Sequence, residues 1–274
     1  MNSFNNFFKF IENNNNNNKA SKKSRNKKIV LLIDILAILL LVGGGYGIKY
    51  VYDQRQDEKE AEELTNKLKT EQQEKSANKD SWANRSNKYR DFNELKEKNP
   101  DTVAWLMVPG TTIDMPIVQT KDNEYYLTHD FDRKKNQMGW VFADSNATFP
   151  ELSTNTIMYG HTYKRTTMFS NLKNVLEDEW LNNPKKQLIT FDTEKERLIF
   201  KVFSVYTIKA TNDYLFTSFS SKDQYEKYLK QELKRSIKDF KVNVTTNDKI
   251  MTLSTCYISD KERLVVHAKL DGRK

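Results

Sequence analysis

The sequence predicts an α+β protein that is mainly β, with a closed or nearly closed eight-stranded barrel at its centre. About eight short runs rich in β-branched and aromatic residues lie between residues 103 and 270. Turn residues such as Pro109-Gly110 and Asn182-Asn183-Pro184 separate these runs. Ser221–Ile237 instead repeats apolar residues at helical spacing. Many short strands divided by turns are typical of sandwiches and barrels, and eight strands suit a barrel.

The first 28 residues form a low-complexity tail that cannot bury enough apolar surface to fold. The tail contains the asparagine run Asn13–Asn18, and its seven basic residues against one acidic residue give it a charge of +6. Because the whole chain carries +8, only +2 remains for everything after the tail. The positive charge therefore belongs to the tail and does not indicate a surface for nucleic acid.

Ile29–Ile48 is predicted to be a transmembrane anchor, because twenty mainly apolar residues match the thickness of a bilayer. Asp34 inside the run costs roughly 2.5–3.5 kcal/mol if it lies near the bilayer centre. No clear Ala-x-Ala site follows the run, which favours an uncleaved anchor over a signal peptide. The basic tail places the N-terminus in the cytoplasm and everything after Tyr50 outside the cell. The predicted localisation is therefore the cell membrane, with a single pass.

Residues 49–81 are predicted to be a charged extracellular spacer. This stretch is rich in Glu, Lys, Gln and Asn, and it has few apolar residues beyond Leu64 and Leu68. Such a composition is typical of a solvated helix or an extended linker. The composition changes at Trp82, so the folded domain is predicted to cover residues 82–274.

The predicted domain begins with a short helix that Asn99-Pro100 ends. A second helix, Ser221–Ile237, opens with the capping-box pattern Ser221-x-x-Gln224 and precedes the strand that carries the cysteine. Six strands lie between the two helices, at Val103–Val108, Ile113–Val118, Gly139–Ala143, Thr156–Tyr159, Gln187–Phe191 and Leu198–Tyr206.

The last two strands, Lys249–Cys256 and Arg263–Leu270, are predicted to pair as a hairpin through a turn at Ser259-Asp260-Lys261. This pairing brings Cys256 near Arg263. Cys256 is the only cysteine, so it cannot form an intramolecular disulfide. A lone cysteine is often a small buried hydrophobe. However, its place at a strand end, its polar neighbours and the nearby guanidinium favour a reactive thiolate.

A nucleophilic cysteine needs an acid/base partner, and the chain has three histidines, His129, His161 and His267. His129 lies in a polar loop. His267 shares a strand face with Arg263 but lies four residues away, about 13 Å at strand rise. His161 follows Gly160 at the end of a strand, a rim position like that of Cys256. Spacing alone does not choose among the three histidines.

Three motifs stand out: Thr252-Leu-Ser-Thr-Cys256, the distal Arg263, and Tyr159-Gly-His161, which places His161 95 residues before the cysteine. Together they resemble the motifs of class B sortases, the cysteine transpeptidases of Gram-positive bacteria. The resemblance covers about Tyr89 to Leu270. It implies a sortase-type eight-stranded β-barrel with N-terminal helices and a helix inserted before the cysteine-bearing strand.

The resemblance also implies the chemistry. Cys256 would cleave a C-terminal sorting signal of the Asn-Pro-x-Thr-x type after its threonine, forming a thioacyl intermediate. His161 would be the general acid/base, and Arg263 would stabilise the substrate and the oxyanion. An amine of a peptidoglycan precursor or cross-bridge would then accept the protein. The implied partners are sorting-signal-bearing surface proteins, this amine and, through the N-terminal helix, the membrane; no cofactor, metal or nucleic acid is expected.

Five further residues match positions that line the class B substrate groove: Asn123, Leu127, Tyr214, Leu215 and Ser254. For Tyr214 and Leu215, ordinary loop packing explains the pattern equally well without the family. The segment between Cys256 and Arg263 is a few residues shorter than in the best-known class B members. This departure affects the placement of Arg263.

Two other functions remain open at this stage. A pilus-polymerising sortase would join subunits through a lysine amine, and the helix predicted before the cysteine strand argues against it. An inactive, membrane-tethered binding module would keep the sortase fold without its chemistry. The intact cysteine, histidine and arginine argue against that alternative, and a thiol-trapping assay separates it from an enzyme.

Overall fold

The computed structural model describes residues 36, 39–40, 42–74, 89–162, 167–257 and 259–274, with the side chains of residues 256–261 outside the description. It contains two compact units, Met1–Arg55 and Gln56–Lys274. In the first unit residues 42–55 are helical. The predicted tail, half of the predicted span Ile29–Ile48 and the end of the predicted spacer lie outside the described residues. Among the helices that are described, none has both the length and the hydrophobicity to cross a membrane.

The second unit begins with helix α1, residues 56–74, which packs against the rest of that unit. Ala61 and Leu68 are fully buried and belong to the main apolar core. The carbonyl oxygen of Asp57 accepts a hydrogen bond of 2.9 Å from Asn136 Nδ2. The sequence predicts a solvated spacer here, and the structure differs because a narrow apolar stripe at helical spacing buries one face of the helix.

Eight strands form the closed barrel that the sequence predicts. They are β1 (Thr102–Met107), β2 (Asp114–Val118), β3 (Phe142–Ala143), β4 (Asn155–Gly160), β5 (Leu188–Asp192), β6 (Arg197–Lys209), β7 (Ile250–Tyr257) and β8 (Ser259–Arg273). Their order around the barrel is β1-β2-β3-β4-β7-β8-β6-β5. The pairs β2–β3 and β4–β7 are parallel, and the other neighbouring pairs are antiparallel.

Three more helices precede strands of the barrel. They are α2 (Phe92–Lys98) before β1, α3 (Asp178–Leu181) before β5 and α4 (Lys222–Arg235) before β7, and 3-10 turns cover Tyr125–Leu127 and Ser170–Leu176. The predicted helix before the cysteine strand is therefore confirmed. As its capping pattern predicts, the Ser221 hydroxyl accepts a hydrogen bond of 3.1 Å from the Gln224 backbone N–H.

The final hairpin pairs Cys256 with Arg263, as predicted. The predicted turn at Ser259–Lys261 is wrong, because β8 already begins at Ser259, which pairs with Tyr257. The register shifts between Cys256 and Tyr257. The extra residues of the connection therefore extend β8 instead of forming a separate turn.

Candidate active site

Three neighbouring strands, β4, β7 and β8, bring His161, Cys256 and Arg263 to one level at the barrel rim. In the parallel ladder between β4 and β7, Gly160 pairs with Thr255. His161 follows Gly160 and Cys256 follows Thr255, so these two residues occupy the next level of the ladder. Cys256 then pairs with Arg263 across the antiparallel hairpin. Since neighbouring strands lie about 4.8 Å apart, the three backbone positions span roughly 10 Å.

The imidazole of His161 is held by the loop that follows β2. Its Nε2 lies 3.0 Å from the carbonyl oxygen of Leu127, in the 3-10 turn Tyr125–Leu127. Because a carbonyl oxygen only accepts hydrogen bonds, Nε2 carries the hydrogen in this contact. Nδ1 is then the ring nitrogen at which the neutral imidazole would accept a second proton.

The glycine before His161 has a packing reason. A Cβ atom at Gly160 would lie 2.7 Å from the ring of Phe169, closer than real Cβ contacts allow. The Phe169 backbone N–H also donates a 3.1 Å hydrogen bond to the His161 carbonyl oxygen. Phe169 therefore packs against the end of β4 and fixes the backbone that carries the histidine.

A cavity of about 430 Å³ opens beside this row of three residues. His161 and Arg263 line it, together with all five predicted substrate contacts: Asn123, Leu127, Tyr214, Leu215 and Ser254. Seven other lining residues were not predicted: Phe142, Tyr159, Gly160, Ala210, Thr211, Asn212 and Thr255. Tyr159 and Gly160 belong to the motif around His161, which is the signal that could have found them. Among the described lining residues, Arg263 alone has a permanent charge, so the cavity suits a neutral or anionic ligand.

The backbone of Cys256 and the residues before it place the cysteine beside the cavity. Thr255 and Ser254, the two residues before Cys256 in β7, both line the cavity. The side chain of Cys256 lies outside the described part of the chain. On the facing strand, the half-buried Arg263 donates a 3.0 Å hydrogen bond from Nη1 to the Glu262 carbonyl oxygen.

One wall of the cavity is supported by a buried carboxylate that the sequence did not reveal. Asp144 is 5% exposed, and its Oδ2 accepts hydrogen bonds from Asn123 Nδ2 at 3.0 Å and from the Tyr159 hydroxyl at 2.8 Å. Burial and the negative charge of Asp144 raise the pKa of Tyr159, so this phenol stays protonated and donates. In the sequence, Asp144 is visible only as part of a turn.

The opposite wall is tied to helix α4. The Tyr214 and Ser254 hydroxyls, both at the cavity, lie 2.9 Å apart. The hydroxyl of Tyr228, on α4, donates a 2.9 Å hydrogen bond to the Tyr214 carbonyl oxygen. The helix inserted before β7 therefore holds a residue that lines the cavity.

The other two histidines lie elsewhere. His267 lies on β8, and its side chain is fully buried against α4. Its Nε2 is 3.2 Å from Glu232 Oε2, and its Nδ1 is 2.8 Å from Thr252 Oγ1. Burial acts to raise the pKa of Glu232, but its hydrogen bond and attraction to His267 contribute to a net lowering. His129 stacks on the Tyr125 ring with centroids 4.1 Å apart. Of the three histidines, His161 is therefore the one that lines the cavity.

Within the part of the chain that the structure describes, no group of three or more His, Cys, Asp or Glu side chains is placed to hold a metal ion.

Known proteins that are similar to this chain are sortases. Residues 106–271 match the sortase domain family. Sortase B of Staphylococcus aureus (strain NCTC 8325 / PS 47) is 35% identical over 182 residues, which cover 65% of this chain and 74% of that protein. Sortase B of Listeria monocytogenes serovar 1/2a is 33% identical over 183 residues, covering 66% and 74%. A solved Staphylococcus aureus sortase B-substrate complex has a TM-score of 0.66 at 30% identity, covering 80% of this chain and 98% of that chain.

Proposed function

This chain belongs to the sortase family as a class B sortase, and from this membership we propose that it anchors proteins to the cell wall as a cysteine transpeptidase. It cleaves a C-terminal sorting signal of the Asn-Pro-x-Thr-x type after the threonine and transfers the protein to a peptidoglycan amine. One observation carries this proposal: His161, Cys256 and Arg263 occupy adjacent strand positions at the rim, beside the cavity.

In the first half of the proposed reaction, the Cys256 thiolate attacks the carbonyl carbon of the threonine. A C–S bond forms, and the C–N bond to the next residue breaks as His161 protonates the departing amine. The Arg263 guanidinium, on the neighbouring strand, favours the thiolate and stabilises the negative oxygen of the tetrahedral intermediate. The product of this half is a thioester between the client protein and Cys256.

In the second half, an amine of the cell wall attacks the thioester carbonyl. His161 accepts a proton from this amine, the C–S bond breaks, and the thiolate of Cys256 is restored as a new amide forms. The similarity to a solved sortase B-substrate complex supports a sorting-signal substrate for this chain. Peptide binding in the cavity is consistent with its lining, which is mostly uncharged.

The proposal includes a position in the cell. Residues 1–28 form a cytoplasmic tail, residues 29–48 a single-pass anchor, and the catalytic domain lies outside the membrane. The seven basic residues before an apolar run of twenty support this orientation. The described contacts of α1 with the core suggest that the folded part of the catalytic domain starts before residue 82.

The proposed function is tested with the full chain in detergent micelles and a small library of sorting-signal peptides. We expect cleavage after threonine, a peptide adduct on Cys256, and transfer to an added oligoglycine or diamino-acid peptide, all followed by mass spectrometry. Binding without an adduct would identify an inactive binding module instead. Transfer only to a lysine side chain of a folded protein would identify a pilus-polymerising enzyme.

A further inference from the structure

Asp144 lies behind the cavity wall and touches the cavity only through other side chains. Its Oδ1 accepts hydrogen bonds from the Asn146 backbone N–H at 2.9 Å and from Asn146 Nδ2 at 3.1 Å. Its Oδ2 accepts from Asn123 and Tyr159, and both of these residues line the cavity. One carboxylate oxygen therefore binds groups within the turn that contains Asp144, and the other binds two residues that line the cavity.

These contacts give the Asn123 amide a single orientation. Its Oδ1 accepts a 2.7 Å hydrogen bond from the Ser145 backbone N–H, which can only donate. Its Nδ2 donates to the Asp144 carboxylate, which can only accept. One amide hydrogen of Asn123 is used in this way, and the second is left for a ligand.

The same carboxylate also orients Tyr159. Because the Tyr159 hydroxyl hydrogen points to Asp144, the phenol oxygen meets a ligand as an acceptor. The cavity wall therefore combines an amide donor from Asn123 with a phenol acceptor from Tyr159. A peptide group, which has one C=O and one N–H, complements this pair.

We propose that Asp144 is a positioning residue of this enzyme, whose buried carboxylate presets Asn123 and Tyr159 to bind the backbone of the peptide substrate. The inference builds on the proposed function, because it assigns a peptide to the cavity. Asp144 lowers the cost of ordering the two side chains when the peptide binds, so its loss weakens binding more than the chemical step.

The test compares Asp144→Asn, Asn123→Ala and their combination in the full chain in detergent micelles. Asp144→Asn keeps the size of the side chain but replaces one acceptor oxygen with a donor. We expect it to raise KM for a sorting-signal peptide about tenfold and to change kcat by less than about threefold. Asn146→Ala removes a side-chain contact from the other oxygen of Asp144 and is the matched control, with an unchanged KM.

Two readouts separate positioning from a general loss of structure. In the Asn123→Ala background, Asp144→Asn should raise KM by clearly less than it does alone, because the two residues act through one contact. In protein labelled with ¹⁵N-asparagine, Asp144→Asn should shift the Asn123 side-chain amide signals, which are identified by their loss in Asn123→Ala. Should Asp144→Asn not fold, Tyr159→Phe leaves the carboxylate in place and should raise KM about threefold.

Multiplicative KM effects of the two substitutions, or unshifted Asn123 signals, would overturn the role of Asp144 while the wild-type chain still cleaves peptide. A wild-type chain that cleaves no sorting-signal peptide would overturn the proposed function, and the role of Asp144 in catalysis with it.

Discussion

At the scale of single residues, the surroundings of each histidine ring decide what it can do. His161 lines the cavity, and its Nε2 lies 3.0 Å from the Leu127 carbonyl oxygen. His267 is enclosed, and both of its ring nitrogens contact buried polar groups. His129 stacks on an aromatic ring outside the cavity lining. The site therefore singles out His161 by geometry, as the motif resemblance does from sequence.

Replacing Cys256 with Ala should abolish cleavage, since the proposed mechanism needs a covalent thioester. Turnover by mass spectrometry should fall below about 1% of wild type, because no other thiol is present in the chain. The melting temperature should change little, because the substitution removes a single atom, Sγ. Residual turnover well above that level would contradict covalent catalysis by this residue.

Replacing His161 with Ala should slow formation of the acyl-enzyme by at least about 10²-fold, the usual contribution of a general acid. The rate is measured by trapping the peptide adduct on Cys256 over time. His129→Ala is the matched control and should stay within about threefold of wild type, because His129 lies outside the cavity lining. Equal losses in the two variants would reject His161 as the proton donor.

At the scale of elements, helix α4 and strand β8 are joined by a buried polar cluster. Glu232 on α4 contacts His267 and Tyr206, and both Glu232 and His267 are fully buried. The Ser204 hydroxyl donates a 2.6 Å hydrogen bond to the Glu232 backbone carbonyl oxygen. This cluster holds the helix that in turn supports Tyr214 at the cavity through Tyr228.

His267→Ala should therefore reduce stability and leave the chemistry of folded molecules nearly unchanged. Removing a hydrogen-bond partner from a buried polar or charged group typically costs roughly 1–3 kcal/mol, and Glu232 keeps Tyr206 and Arg235 as partners in this variant. The free energy of unfolding is measured with urea, and kcat/KM well below the melting temperature should stay within about threefold of wild type. A drop in kcat/KM as large as that of His161→Ala would point to a catalytic role for His267.

The same cluster predicts that the stability of the fold depends on pH in the acidic range. The pKa of Glu232 lies below its ordinary value of 4.5 in the folded protein. Burial acts to raise this pKa, and the interactions with His267, Tyr206 and Arg235 lower it. A lowered pKa means that ionised Glu232 stabilises the fold above pH 4.5, and that this contribution is lost as the pH falls through the lowered pKa. Melting temperatures should therefore fall less steeply with acid in His267→Ala than in wild type.

At the scale of the whole molecule, helix α1 and the described residues just before the barrel belong to the same compact unit as the strands. The Arg90 side chain, before α2, lies 3.3 Å from Asp114 and 3.5 Å from Asp192, two carboxylates on different strands. Lys69 of α1 also pairs with Asp114 at 3.1 Å. Ion pairs therefore join α1 and Arg90 to strands of the barrel, in addition to the apolar packing of α1.

The proposed orientation in the membrane is tested on intact protoplasts with added protease. The basic tail should stay protected in the cytoplasm, and the domain after Tyr50 should be digested or released. Antibodies against the two ends of the chain follow the fragments, and permeabilised cells are the control in which both ends become accessible. A protected domain with a digested tail would reverse the orientation.

The sequence by itself determined the features that depend on neighbours along the chain. Strand and helix positions followed from apolar periodicity and turn residues, and the pairing of Cys256 with Arg263 followed from a hairpin. The motifs around His161 and Cys256 were enough to indicate the family, which the comparisons confirmed. Each of these features is local, so the physical cause is visible in a short window of residues.

Only the tertiary structure decided the features that depend on contacts between distant segments. His161 comes level with Cys256 because β4 and β7 pair in parallel across 95 residues of chain. The role of Asp144 depends on side chains from two other segments, and the packing of α1 depends on the core it meets. Barrel closure brings such segments together, and no local periodicity encodes which of them will meet.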